Sequence, residues 1–277
     1  MLRFLRNKYI DLAATAIFII LMAAVVVSLI SSFRTVPSGS TFEVGRQYLD
    51  SLAARDPAEI DRAIFNGRRE ALLQEVTERM EEDPDYVWKA LADIGTVMTG
   101  DSRVGVFESG GFMDPSHVIW EAATAMEEVV DYDRIRAAAP HLVVIAFGLN
   151  DIGLIHMTPE DFAAGACRIV DDIQAMLPDA YIYVQSTLPP SPNGSDTVFT
   201  YDWVTDWSDR EIAYYKEHGY RYLDINFLIW DHMDLYAEDG FHFQPDFYKY
   251  WAAEILKQYF YDVMEDSGSA EPDVIEE

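Results

Sequence analysis

The 277 residues carry 20 Lys and Arg against 48 Asp and Glu, a formal charge of −28. That balance argues against a nucleic-acid partner, because phosphate binding needs basic patches. With 50% hydrophobic and 13% aromatic residues the chain affords a sizeable core, which argues against general disorder.

At about 100–200 residues per domain, the length suits one core domain plus a membrane or linker segment. The single cysteine, Cys167, permits no intrachain disulfide and no cysteine-based metal site. It falls on an apolar helix face and reads as an inert, buried thiol. Residues 1–9 contain Arg3, Arg6 and Lys8, and residues 12–30 are almost wholly apolar. About 19 such residues make roughly 28 Å of helix, enough to cross a bilayer. The preceding basic residues put the N-terminus in the cytoplasm. The expectation is an uncleaved anchor over residues 1–32, with the remainder outside the cytosol. A cleaved signal peptide is the alternative, although the stretch is long for one and lacks a good small-x-small site.

Residues 33–93 read as a linker followed by a helical segment. Pro37, Ser38, Gly39 and Ser40 mark the linker, and Asp56-Pro57 suits a cap and first turn. Ile60, Ile64, Leu72, Leu73, Val76 and Met80 form an apolar stripe that Asn66-Gly67 is expected to interrupt. From residue 94 the pattern alternates. Strands are predicted over 96–99, 117–121, 142–147, 181–187 and 221–225. Helices are predicted over 123–138, 158–177, 204–218 and 246–264. Thr158-Pro159-Glu160-Asp161 combines an N-cap, a first-turn Pro and acids at the positive helix end. Gly219 suits the position just past a helix. Strand–helix alternation with apolar strands implies a parallel sheet covered on both faces. The core domain is therefore placed at 94–264. The acidic tail 265–277, with Gly, Ser and Pro, is expected to be disordered.

Three stretches follow predicted strands. Gly100-Asp101-Ser102 follows the first, Gly148-Leu149-Asn150-Asp151 the third, and Asp239-Gly240-Phe241-His242 comes after the fifth. Open α/β sheets bind ligands beyond the carboxyl ends of their strands. Gly-Asp-Ser alone is an ordinary turn tripeptide. In this order, however, the three motifs resemble the SGNH (GDSL-type) hydrolase family over roughly residues 94–262.

The resemblance implies a three-layer α/β/α, flavodoxin-like fold with five parallel strands in the order 2-1-3-4-5. Strands one and three then adjoin, and Ser102 and Asn150 share one rim. It further implies a serine esterase whose nucleophile is Ser102. A neutral serine needs a base, and imidazole is suited to that work, so His242 is the candidate. Asp239 would orient the ring, and Asn150 would donate to the oxyanion. The expected substrate is a small-molecule or glycan ester, such as an acetylated carbohydrate. An O-acyltransferase and an inactive binding protein of the same fold are the rivals. No cofactor is expected, and no His or Glu pattern has zinc spacing. The oligomeric state is not legible. His117, His141, His156, His218 and His232 compete with His242 and fall at strand starts, helix ends or the rim. The chain departs from the family's second block, where Trp120-Glu121-Ala122-Ala123-Thr124 contains no glycine.

Overall fold

The computed structural model describes residues 57–155, 157–193 and 199–269. The apolar stretch 12–30, the linker, His156 and residues 270–277 lie outside them. Among the described residues no helix is long and apolar enough to cross a membrane. The chain divides into two compact units, residues 1–66 and 67–277. Of the first, only residues 57–66 are described. They begin helix α1 (Pro57–Glu82), which runs unbroken through Asn66-Gly67. A helix-interior glycine costs only about 1 kcal/mol and removes no backbone hydrogen bond.

The second unit is an α/β/α sandwich. After α2 (Tyr86–Ile94) and a left-handed Gly95 (φ 74°) comes β1 (Thr96–Gly100). The chain continues through α3 (Gly105–Ser109), β2 (Val118–Trp120), α4 (Met126–Val129), α5 (Tyr132–Ala138) and β3 (Leu142–Ala146). Then follow α6 (Leu149–Ile155), α7 (Pro159–Met176), β4 (Tyr181–Gln185), α8 (Tyr201–Glu217), β5 (Tyr222–Leu223), α9 (Phe227–Asp231) and α10 (Pro245–Ser269). The strand order is β2-β1-β3-β4-β5, as the resemblance implied, and every pairing is parallel. Gly100 pairs with Ala146, so β1 and β3 end level with each other.

Alternation along the strands builds a core on each face. Leu142, Val144 and Ala146 pack with Met98, Val87, Leu91, Phe107 and Trp251. Val143, Ile145 and Phe147 pack on the other face with Val97, Phe162, Cys167, Ile173 and Trp207. The helical segment before residue 94 thus contributes Val76, Val87 and Leu91 to the sandwich core. Thr158 caps α7 by accepting the Asp161 N–H, and Gly219 takes φ 76° after α8.

Three expectations need correction. The single helix over 123–138 is two short helices. Asp131 caps the second by accepting the N–H groups of Asp133 and Arg134, which starts a new helix instead of extending the old one. A short helix, α6, follows β3 where no helix was predicted. The final helix continues past residue 264 to Ser269, so the first tail residues are helical.

Candidate active site

β1 ends at Gly100, where a Cβ would meet the Val104 side chain and the carbonyl of Ala146. Only glycine lets the chain turn so close to β3. Asp101 and Arg103 are buried beside the half-buried Ser102. Asp101 Oδ1 accepts the Arg103 N–H at 2.9 Å, closing a tight turn around the serine. Burial pushes the Asp101 carboxyl up, opposed by the Arg103 charge and by that N–H.

The histidine arrives on a turn closed by the Tyr236–Phe243 bridge. Gly240 takes φ 72° within it, and the Ala237 N–H donates to the His242 carbonyl at 2.8 Å. Asp239 Oδ1 accepts the N–H groups of Phe241 and His242, each at 2.9 Å. Its Oδ2 lies 2.6 Å from His242 Nδ1. Burial works against ionisation of Asp239. The N–H and ring hydrogen bonds from His242, helped by Phe241, outweigh it and hold the carboxyl down at about 2. An ionised carboxylate only accepts, so Nδ1 carries the proton. Nε2 therefore presents its lone pair to the Ser102 hydroxyl, 2.8 Å away.

Asn150 lies in the first turn of α6, reached through Gly148 at φ 131°. Its side-chain Nδ2 is buried and has no hydrogen-bond partner among the described residues. Next to it, Asp151 is buried and accepts the Met126 N–H at 2.9 Å, tying α6 to α4. Burial pushes the Asp151 carboxyl up to about 6 despite that N–H, and the nearby Asp101 adds to the rise.

Ser102, Asn150 and His242 line one cleft of about 590 Å³, together with Ala122, Ala123, Leu149, Phe199 and Phe241. Asp239 stands behind His242, with its side chain 49% accessible. The glycine-free stretch that departs from the family pattern lines this cleft with Ala122 and Ala123, and Ala123 takes φ 54°. A left-handed alanine costs about 1–2 kcal/mol.

The remaining described histidines lie elsewhere. His232 stacks on Tyr250, His218 stacks on Tyr214, and His117 pairs with Ser116. Among the described residues no three His, Cys, Asp or Glu side chains gather as a metal site. Cys167 is buried and its thiol is pushed up to about 11, first by burial and then by Asp171.

Sequence reading missed Arg103. Its Nε donates to the Phe241 carbonyl at 2.8 Å and its Nη1 to the Leu188 carbonyl at 2.5 Å. The guanidinium therefore clips the serine turn to the histidine turn. Its position next to Ser102 was the available signal, since an arginine there is well placed to bind neighbouring loops.

The model of the GDSL-like lipase/acylhydrolase family matches residues 113–250, a span that holds Asn150, Asp239 and His242 and starts after Ser102. The chain is also similar to solved structures. One is a carbohydrate esterase family 3 protein from Talaromyces cellulolyticus, with a TM-score of 0.45 and 14% identity over 62% of this chain and 98% of that chain. Another is a GDSL-like lipase from Bacteroides thetaiotaomicron, with a TM-score of 0.42 and 15% identity over 65% and 98%. No curated protein matches in sequence. The chain belongs to the GDSL-like lipase/acylhydrolase family, the SGNH hydrolases, and is a serine hydrolase acting on ester bonds.

Proposed function

We propose that the protein is a membrane-anchored, extracytoplasmic esterase that removes small acyl groups, acetyl above all, from carbohydrate through a Ser102-His242-Asp239 triad. The observation that carries this reading is the unbroken hydrogen-bond chain from Asp239 through His242 to Ser102, with the unpartnered Asn150 amide in the same cleft.

In this mechanism His242 Nε2 takes the Ser102 proton as Oγ attacks the acyl carbonyl. Asp239 holds the imidazolium that forms. The carbonyl oxygen becomes an oxyanion, and the Asn150 Nδ2–H donates to it. A donor with no partner among the described residues is available for that task, and losing one such donor typically costs about 2.7–4 kcal/mol. His242 then returns the proton to the leaving alcohol, leaving an acyl-serine. Water, deprotonated by the same imidazole, cleaves it and regenerates the hydroxyl.

The carbohydrate alcohol is supported by the rings at the cleft. Phe199 and Phe241 line it, and the exposed Trp203 stacks on Phe199 at 6.3 Å and 24°. Such faces pack well against the C–H face of a sugar ring. The test is Ser102→Ala on the full chain. It should abolish both labelling by a serine-reactive phosphonate and release of acetate from an acetylated oligosaccharide. Labelling that persists would remove Ser102 from its role.

A further inference from the structure

Glu211 sits in the middle of α8 with no accessible surface and takes no part in the mechanism above. We infer that it is a positioning residue for the oxyanion side of the site, acting through Thr187 on the turn that carries Asn150. The inference rests on the reading of Asn150 as oxyanion donor.

Each link in the path is a contact. Glu211 Oε1 accepts the backbone N–H of Thr187, two residues beyond β4. Glu211 Oε2 lies 3.0 Å from Thr187 Oγ1. Thr187 Oγ1 in turn lies 3.3 Å from the carbonyl of Phe147, the last residue before Gly148. Gly148 presses against the same side chain, since a Cβ there would collide with Thr187. The Gly148 carbonyl then accepts the Ile152 N–H at 2.9 Å, closing the first turn of α6 around Asn150.

A hydroxyl has one proton to give. Thr187 can donate to Phe147 only when the carboxyl of Glu211 is protonated and donates into Oγ1. Burial first, against the Thr187 bonds, pushes Glu211 up to about 8. At neutral pH the bonds therefore run one way, from Glu211 to Thr187 to the Phe147 carbonyl. Asn150 Nδ2 has no bond of its own to fix its aim. Its direction is inherited from the backbone of this turn, so the support beneath Gly148 matters for the transition state more than for substrate binding.

The test is steady-state kinetics of the full chain on p-nitrophenyl acetate, with thermal melting as the folding check. Thr187→Val keeps the shape and the N–H but removes the hydroxyl link. It should lower kcat about 10–100-fold with KM within about twofold, as expected for a misplaced catalytic group. Thr187→Ser should restore most of the loss. Glu211→Leu should lose as much as Thr187→Val, while Glu211→Gln, whose amide accepts and donates like the protonated acid, should retain most of kcat. Asn150→Ala should cost about 10²–10³-fold. In the double variant N150A/T187V the Thr187 effect should vanish, because it acts through Asn150. Wild-type kcat in Thr187→Val, or losses that simply multiply in the double variant, would overturn the inference while leaving Asn150 in its role. Wild-type kcat in Asn150→Ala would overturn the oxyanion reading itself.

Discussion

Asp239 is the exposed member of its hydrogen-bond chain, and that sets what its removal costs. A side chain 49% accessible has water at hand to replace part of its bond to the ring. Asp239→Asn should therefore lower kcat by about 100-fold, well short of the roughly 10⁴-fold known for a buried triad carboxylate. Hydrolysis rates on p-nitrophenyl acetate check this, and a loss as large as 10⁴ would show that water cannot stand in. That Ser102, Asn150, Asp239 and His242 would meet was legible because each sits in a short motif of the pattern the chain resembles. Arg103, Thr187 and Glu211 were not, because their partners lie far along the chain. Arg103, for instance, reaches carbonyls 138 and 85 residues away. Glu211 did leave a trace. Val204, Trp207, Glu211 and Tyr215 share one buried stripe of α8, and a carboxylate in an apolar stripe signals a specific partner.

That stripe gives α8 a pH dependence whose sign can be worked out. The Glu211 carboxyl ordinarily titrates at 4.5, and in the folded protein at about 8. Below 4.5 both states hold the proton. Between 4.5 and 8 only the native state does, so stability falls as pH rises, by at most about 1.4 kcal/mol per unit. Asp151, raised from 3.8 to about 6, adds a decline of the same sign in the lower part of that window. Asp239, held at about 2, acts in the opposite sense but only below pH 4. Urea midpoints should fall from pH 5 to pH 8 in the wild type and fall less in Glu211→Gln; parallel slopes would show that Glu211 is ionised throughout. Among the elements, the strands and the long helices were legible from their periodicity. The short ones were not. α4 and α5 fill a stretch whose composition favours one helix, and it is the extended Val130 and the Asp131 cap, both local backbone events, that divide it.

For the whole molecule, the order of the sheet followed from the family resemblance that the three motifs carry. The helical segment before the first strand packs into the sandwich, and Val76, Val87 and Leu91 belong to its core. The proposed location outside the cytosol rests on the basic residues 3–8 followed by the apolar residues 12–30. An alkaline phosphatase fused after residue 277 should therefore be active, whereas a β-galactosidase placed there should not; the reverse pattern would return the domain to the cytosol. One last consequence follows from the turn that carries both Asp239 and His242. The acid and the base travel on a single short hairpin, clasped by the Tyr236–Phe243 bridge, so the pair moves as one body. Swinging that hairpin away would silence the serine without breaking the carboxylate–imidazole contact. The low-field proton resonance of Nδ1 would then persist in a conformer that turns nothing over, so that signal reports an intact dyad and says nothing of whether the nucleophile is within its reach.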